Sequence, residues 1–184
     1  MQLVRDAFCS FCGTRYAEPL EYPRTCAGCS TTIWANPIPV AVVLLPIVDG
    51  ASTGLLVIRR AIPPGIGKLA LVGGFVEDHE SWQHGAAREV LEETGVIVEP
   101  SALEPMWYAS TSPTPNRVLL FSLAAAMPAS ALPAFTSDTE ASERGLVFGP
   151  DGLDDVFAFS LHADAARRYF AHRGISAAHR FTAR

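Results

Sequence analysis

The chain has 184 residues, of which 49% are hydrophobic and 18% are charged, and its formal net charge is −5. This globular composition allows a sizeable core in one ordinary domain, with room for a small additional unit. The acidic balance gives no electrostatic attraction to nucleic acid or to an anionic membrane, so neither is an expected partner.

All four cysteines lie in the first thirty residues and form two CxxC pairs: Cys9 with Cys12, and Cys26 with Cys29. No segment has the pattern of a secretory leader or the length of a membrane helix, so the expected location is the cytoplasm, where disulfides are rare. Clustered CxxC pairs then predict a metal site, and four thiolates saturate a structural Zn²⁺. Gly13 and Gly28 suit the tight turns of such a site. Residues 1–35 are therefore predicted to be a zinc ribbon, the alternative being four free thiols.

Residues 36–184 are predicted to form the main domain. Its first four residues, Asn36-Pro37-Ile38-Pro39, contain two prolines and mark a break in regular structure. Residues 40–48 are rich in β-branched side chains and predict a buried strand, which a turn connects to a second strand at residues 54–60. Further elements are predicted as strands at residues 69–72, 96–108, 117–123 and 146–148, a loop at 124–135, and a final helix at 161–172.

A helix is predicted from about residue 81 to residue 94, with Gly95 as its C-cap. Successive helix residues turn by about 100°, so Glu92 and Glu93 fall near −60° and +40° of Glu89, on one face. Ala87, Val90 and Leu91 fall on the other side and are expected to be buried. The helix therefore presents three carboxylates together.

Like charges at these spacings destabilise a helix by a few tenths of a kcal/mol each, which a hard cation can offset. Carboxylate oxygens suit Mg²⁺ or Mn²⁺, which also bind phosphate, polarise a phosphoryl oxygen and activate water. Arg88 is expected to hydrogen-bond one carboxylate and fix its rotamer. The alternative is an acidic exposed helix with ordinary salt bridges. Gly74, Glu80, Arg88 and Gly95 stand at fixed offsets from the glutamates, which favours the metal site.

The segment from Gly74 to Val96 matches the Nudix box, G-x5-E-x7-R-E-U-x-E-E-x-G-U, at every defined position, and so resembles the Nudix hydrolase family. The resemblance implies an α/β fold, a Nudix α/β/α sandwich with a mixed sheet. It also implies hydrolysis of a nucleoside diphosphate linked to another moiety. By the same resemblance, residues of the box would carry the reaction: Glu89, Glu92 and Glu93 as Mg²⁺ ligands, with Glu80, Arg88 and Gly74 supporting them.

The cysteine unit and the box together resemble the zinc-ribbon Nudix subgroup, which includes NADH, ADP-ribose and FAD pyrophosphatases. Residues 33–37, Ile-Trp-Ala-Asn-Pro, are similar to the linker of that subgroup. The NADH-specific SQPWPFPxS array is missing from residues 110–117, which favours ADP-ribose or FAD as substrate and AMP as a product. The alternatives are an NADH/NAD pyrophosphatase and a catalytically silent nucleotide sensor. The resemblance also allows a homodimer.

Several residues outside the box are weaker candidates. Glu140 or Glu143 is expected to supply a further metal ligand or a general base, the alternative being a solvated acidic loop. Alternation along the strand predicts that Arg59 and Arg60 point to opposite faces, so that one could reach substrate phosphate, the favoured alternative being surface salt bridges. Three large aromatics are candidates for stacking on a base or for filling core space: Trp34, Trp107 and Tyr108.

Overall fold

The computed structural model describes residues 6–111, 116–137 and 139–184. It divides into two compact units, Met1–Pro37 and Ile38–Arg184, and the division lies two residues beyond the predicted boundary. Half of the region compared with the NADH array, residues 112–115, lies outside the described residues. Within the described residues no helix is long and apolar enough to cross a membrane.

The first unit contains one small antiparallel pair, β1 (Arg24–Thr25) and β2 (Thr32–Ile33). Its apolar cluster consists of Cys9, Tyr16 and Cys26, against which Leu20 and Ile33 pack. So few apolar side chains cannot stabilise a fold of this size alone. The cysteines are thus part of the core itself.

The second unit is built on one mixed sheet. Its strands are β3 (Ile38–Leu44), β4 (Pro46–Asp49), β5 (Ser52–Arg60), β6 (Leu69–Phe75), β7 (Glu104–Ser110), β8 (Arg117–Leu123), β9 (Met127–Pro128), β10 (Ala141–Phe148) and β11 (Arg180–Ala183). The main order is β11-β10-β5-β6-β3-β8-β7, with β4 pairing β5 and β9. β3 and β8 run parallel, as do β4 and β9, whereas the other pairs are antiparallel.

Helices cover both faces of this sheet: α1 (Trp82–Thr94), the short α2 (Leu153–Val156) and α3 (Ser160–His172). Ala86 and Val90 of α1 belong to one buried cluster, whereas Tyr169 and Phe170 of α3 belong to the other. Because both faces are covered, residues 41–44 of β3 are a continuous apolar run that is buried on both sides. The arrangement confirms the predicted α/β/α sandwich with a mixed sheet.

Helix α1 has the bounds and the C-cap that the sequence predicts, and Ser81 is an additional N-cap. The Ser81 hydroxyl accepts a hydrogen bond from the His84 amide at 3.3 Å, and Gly95 ends the helix in a left-handed conformation with φ of 72°. The expectation that Leu91 is buried is wrong, since 48% of it is exposed. The buried arc runs from Glu93 through Val90 to Thr94, and Leu91 lies about 60° beyond it.

The strand predictions need correction at several points. Residues 40–48 form two strands rather than one, because the chain leaves β3 at Leu45 and begins β4 at Pro46, which lacks an amide proton. The weak strand predicted at residues 96–108 is found as β7, after a short 3₁₀ turn. Strands β6 and β10 are longer than predicted, and the sequence pattern did not reveal β9, α2 or β11.

The side chain of His162, on α3, is buried against the sheet, and its Nδ1 accepts a hydrogen bond from the Leu71 amide at 3.2 Å. Burial, with a smaller contribution from the positive charge of Arg60, lowers its pKa from 6.5 to about 3. The folded state therefore disfavours the proton that the unfolded chain binds. Stability is retained above pH 6.5 and is lost as pH falls from there toward 3.

We expect the wild-type protein to lose about 2 kcal/mol more stability than His162→Asn between pH 7 and pH 5, at about 1.4 kcal/mol per pH unit below 6.5. Asparagine keeps an acceptor near the Nδ1 position but does not titrate. Urea unfolding of both proteins at the two pH values measures the difference. Equal losses in the two proteins would show that His162 does not contribute to the pH dependence.

Candidate functional site

The end of strand β6 passes unusually close to neighbouring groups. Gly73 has φ of 151°, and a Cβ atom there would collide with the carbonyl oxygen of Ala41 on β3. A Cβ on Gly74 would collide with the carboxylate of Glu89. Gly73 therefore requires glycine, because any side chain would push β6 away from β3, whereas a side chain at position 74 would displace the carboxylate of Glu89. The two glycines place the backbone against the carboxylate face of the helix.

Glu93 is the most buried acidic side chain of α1, with only 9% of the residue exposed. Its Oε2 accepts a hydrogen bond from the Gly73 amide at 3.0 Å. Burial raises its pKa from 4.5 to about 8, and repulsion from Glu89 and Glu140 adds to the rise, while the Gly73 bond and the charge of Arg60 oppose it. A carboxylate held this way favours either a proton or a cation.

Glu89 lies beside Glu93 with 15% of its side chain exposed. Its pKa is also raised, chiefly by burial, and the negative charges of Glu92 and Glu140 contribute to the rise, whereas Arg88 opposes it. Glu92 is more open, with 57% of its side chain exposed. The helix therefore carries two carboxylates in a desolvated position and a third at the solvent edge.

Arg88 connects most of the box. One guanidinium nitrogen donates to Glu89 at 2.8 Å and to Glu92 at 3.0 Å, and the other donates to Glu80 at 2.9 Å and to the Phe75 carbonyl at 3.0 Å. The hydrogen bonds from Arg88, and one from the Glu77 amide, lower the pKa of Glu80. Arg88 thus ties the loop before α1 to the acidic face of the helix.

The two weaker acidic candidates occupy different surroundings. Glu140 lies near enough to Glu89 and Glu93 for its charge to raise the pKa of both. Glu143, on β10, instead accepts a hydrogen bond from Nε of Arg59 at 2.7 Å. The structure therefore brings Glu140, and not Glu143, toward the carboxylates of α1.

Arg59 and Arg60 both contact nearby main chain. Arg59 donates to the Gly67 carbonyl at 2.8 Å as well as to Glu143. Arg60 donates to the Pro64 carbonyl at 2.8 Å and lies over the ring of Phe159, with 4.9 Å between its Cζ and the ring centroid. Of the two arginines, Arg60 is the one whose charge acts on Glu93.

The candidate stacking residues differ in their exposure. Trp107 stacks on Phe121 with 5.0 Å between ring centroids, and the Arg168 guanidinium covers its ring at 4.3 Å, so it serves as packing. Tyr108 is 76% exposed, and Trp34, in the first unit, is 64% exposed.

The four cysteines converge in the first unit, with their sulfur atoms within 4.8 Å of one another. The Cys9–Cys29 and Cys12–Cys26 sulfur pairs are 3.7 and 3.5 Å apart. These separations exceed the ~2.05 Å of a disulfide and approach the ~3.8 Å edge of a tetrahedron with Zn–S bonds of about 2.3 Å. The thiolate set therefore fits a tetrahedral Zn²⁺.

The turn residues of the cysteine unit differ from expectation at one position. Gly13 follows the first pair with φ of 74°, and its amide donates to the Cys9 carbonyl. Ser30 occupies the equivalent place after the second pair, with φ of 59° and an amide that donates to Cys26. Gly28 has no positive φ, and it is glycine because a Cβ would collide with Thr14.

The acidic site is less compact than the cysteine site. In the described part of the chain, the cysteines are the one group of metal-ligating side chains whose donor atoms all lie within 4.8 Å. Two of the carboxylates of α1, those of Glu89 and Glu92, are paired with one nitrogen of Arg88. Burial raises the pKa of both Glu89 and Glu93, and repulsion from neighbouring carboxylates adds to the rise. Hard oxygen donors with excess negative charge fit Mg²⁺ or Mn²⁺.

Comparison with known proteins identifies relatives of the second unit and of the whole chain. The model of the NUDIX domain matches residues 37–169. A NUDIX hydrolase from Nitrosomonas europaea is 31% identical, over 94% of this chain and 96% of that one, with a TM-score of 0.65.

Two more distant structures share the fold alone. The NUDIX domain of Shewanella oneidensis NrtR, complexed with ADP ribose, is 16% identical over 76% of this chain and 90% of its own, with a TM-score of 0.62. A bifunctional NMN adenylyltransferase/ADP ribose pyrophosphatase from Francisella tularensis, complexed with AMP and a Mn ion, is 17% identical over 76% of this chain and 42% of its own, with a TM-score of 0.57.

Proposed function

Because the chain belongs to the Nudix family and is a pyrophosphohydrolase, we propose that it uses Mg²⁺ or Mn²⁺ to hydrolyse a nucleoside diphosphate linked to another moiety. The observation that carries the proposal is the buried carboxylate of Glu93, which the Gly73 amide holds at 3.0 Å beside the carboxylate of Glu89 within the complete box. The charges of Glu89 and Glu140 both act on Glu93, and the proposal assigns the three carboxylates to the same cation.

Each residue of the box has a definite part in this proposal. Glu89, Glu92 and Glu93 hold the metal, and the exposed Glu92 reaches it by a rotamer change that solvent allows. When bound, the metal neutralises phosphate charge and activates water for attack on phosphorus. Arg88 and Glu80 keep the preceding loop on the helix, and Gly74 lets the main chain approach Glu89. Positioning and charge neutralisation supply most of the catalysis in such a reaction.

ADP-ribose or FAD is the proposed substrate, with AMP as one product. The aromatic-rich array of NADH-specific enzymes is missing from residues 110–117, and the four-cysteine cluster accompanies the box. Two structures of the same fold are described with ADP ribose or as an ADP ribose pyrophosphatase, which agrees with this choice. Tyr108, exposed on the edge strand β7, is available for stacking.

A substrate panel tests the proposal directly. ADP-ribose, FAD, NADH, NAD and diadenosine polyphosphates are each incubated with Mg²⁺ and with Mn²⁺, and kcat/KM is measured for every pair. We expect the highest value for ADP-ribose or FAD. A preference for NADH or NAD would overturn the substrate assignment. Tight nucleotide binding without turnover of any compound would show a sensor rather than an enzyme.

The first unit is proposed to bind one structural Zn²⁺ through Cys9, Cys12, Cys26 and Cys29. The tetrahedral separations of the sulfur atoms support this assignment, and four thiolates leave no open coordination position for catalysis. The metal would then supply the stability that the small apolar cluster around Tyr16 lacks.

We expect Glu140→Gln to lower kcat by about 10²-fold, because it removes a carboxylate that acts on Glu89 and Glu93 as a metal ligand or proton acceptor. Glu143→Gln is the matched control: it makes the same chemical change three residues away, in a side chain bound to Arg59. Steady-state kinetics at saturating Mg²⁺ measures both variants. Equal activity of the Glu140 variant and the wild type would remove Glu140 from the reaction.

A further inference from the structure

Arg144, on β10, is among the largest fully buried side chains of the protein, with 2% of the residue exposed. Burial lowers the pKa of its guanidinium. A buried charge is costly unless its donors are satisfied. Within the described part of the chain, the guanidinium donates its hydrogen bonds to main-chain carbonyls. These belong to Thr94 at 2.6 Å, Pro133 at 2.7 Å and Arg184 at 3.3 Å. Arg144 is therefore a buried cation held by main-chain carbonyls, unlike an arginine in a surface salt bridge.

The shortest of these bonds ends on the catalytic helix. Thr94 is the last residue of α1, and its carbonyl is one of the four that a helix leaves without an internal partner. A cation at this end is also favoured by the helix dipole. The second bond reaches the loop that covers the helix end, since a Cβ on Gly95 would lie 3.3 Å from Cγ of Pro133. Arg144 therefore joins α1, that loop and β10.

The helix end that Arg144 holds also carries the buried carboxylate. Glu93 immediately precedes Thr94, and its hydrogen bond to Gly73 crosses from the last turn of α1 to the end of β6. Metal–oxygen distances tolerate errors of only about 0.2 Å, whereas fraying of a last turn moves side chains much further. Holding the Thr94 carbonyl thus limits where the Glu93 carboxylate can lie.

We propose that Arg144 is a positioning residue, whose guanidinium fixes the C-terminal end of α1 and so holds Glu93 against Gly73 in the arrangement that a divalent metal requires. This inference rests on the proposed function, because it assumes that Glu93 is a metal ligand. Arg144 contacts neither metal nor substrate and acts through the main chain of the helix.

The test compares Arg144→Lys and Arg144→Met with Val147→Ala in the full chain. Val147 lies on the same strand but in the cluster on the α3 side of the sheet, so its truncation weakens packing without touching α1. Mn²⁺ is titrated without substrate and followed by electron paramagnetic resonance, while urea unfolding reports stability. Hydrogen exchange of residues 90–96 reports the order of the helix end.

We expect Arg144→Met to raise the Mn²⁺ dissociation constant about tenfold or more, the range seen when groups that orient metal ligands are removed. Lysine keeps the charge but cannot reach three carbonyls as a planar fork, so Arg144→Lys is expected to give a smaller rise and faster exchange at residues 90–96. Val147→Ala should lower stability and leave Mn²⁺ affinity unchanged. Arg144→Lys also tests the proposal if Arg144→Met does not fold.

Three results would overturn the inference and can be told apart. If the wild-type protein binds Mn²⁺ and both Arg144 variants that fold bind it equally well, Arg144 has no positioning role and the proposed function stands. If the Val147 variant loses affinity in proportion to its stability, as the Arg144 variants do, the effect is general destabilisation. If the wild-type protein binds no Mn²⁺ at the acidic face, the proposed function fails and this inference fails with it.

Discussion

We expect Glu93→Gln to lower kcat by about two to three orders of magnitude, because a preorganised charge at the reacting phosphate is lost. The same change should stabilise the metal-free protein. The folded state raises the pKa of Glu93 from 4.5 to about 8, so its favourable contribution is complete below pH 4.5 and is lost as pH rises through 8. At pH 8 the variant is therefore expected to be more stable by on the order of a few kcal/mol.

Urea unfolding in chelator at pH 5 and pH 8 measures this gain, which should nearly vanish at pH 5, where Glu93 is protonated in the wild type as well. Added Mg²⁺ should stabilise the wild-type protein through binding to its folded state but should not stabilise the variant. Glu104→Gln on β7, outside the box, is the matched control and should change neither kcat nor the stability of the metal-free protein. A fully active Glu93 variant would contradict the proposed role.

The second large effect is expected from Cys26→Ser, which removes a buried thiolate from the cysteine cluster. Structural zinc contributes about 10–16 kcal/mol of binding free energy in small zinc-binding peptides, far more than the apolar cluster around Tyr16 can supply. The variant should therefore lose its zinc and the protection of residues 6–37. The second unit should still unfold cooperatively, because it has its own core on both faces of the sheet.

Elemental analysis and hydrogen exchange of the purified protein measure these two outcomes. Ser10→Ala changes an exposed residue between Cys9 and Cys12 and should keep one zinc per chain with normal protection. Wild-type protein that contains no zinc after expression in zinc-replete medium would contradict the assignment, as would a Cys26 variant that retains the metal.

The sequence predicted those features whose signals are local. Ser81 and Gly95 mark the ends of α1 because capping depends on a few adjacent residues. The fixed offsets of the box identify the carboxylate cluster without any knowledge of the sheet. The two CxxC pairs predict the cysteine cluster in the same way, because thiolates at that spacing share one turn.

Burial on α1 was harder to predict, because a helical wheel gives angles but not the direction of the sheet. The wheel places Glu93 on the acidic face opposite the buried side. In the structure Glu93 points inward toward Gly73, and Leu91 is exposed. A rotation of about 60° separates the two descriptions. The direction of that rotation depends on how Ala86 and Val90 of α1 pack against the sheet, which is a tertiary contact.

The burial and the partners of the charged residues near β10 could not be predicted locally, because they depend on contacts that are still more distant in sequence. The pattern Glu-Ala-Ser-Glu-Arg at residues 140–144 gives no indication that Arg144 is buried, because its partners lie 50, 11 and 40 residues away. The choice between Glu140 and Glu143 likewise depended on Arg59, 84 residues from Glu143. Ser30 in place of a glycine shows that even a local turn can be misread.

The central claim is metal-dependent hydrolysis of a diphosphate linkage at the carboxylates of α1, and product analysis with ADP-ribose and FAD tests it most directly. Each compound is incubated with the wild-type protein and with Glu93→Gln, in Mg²⁺ or in chelator, and the products are separated by chromatography. We predict AMP together with ribose 5-phosphate or FMN, formed by the wild-type protein in Mg²⁺ only. AMP release that persists in chelator, or that is unchanged in the Glu93 variant, would contradict the account.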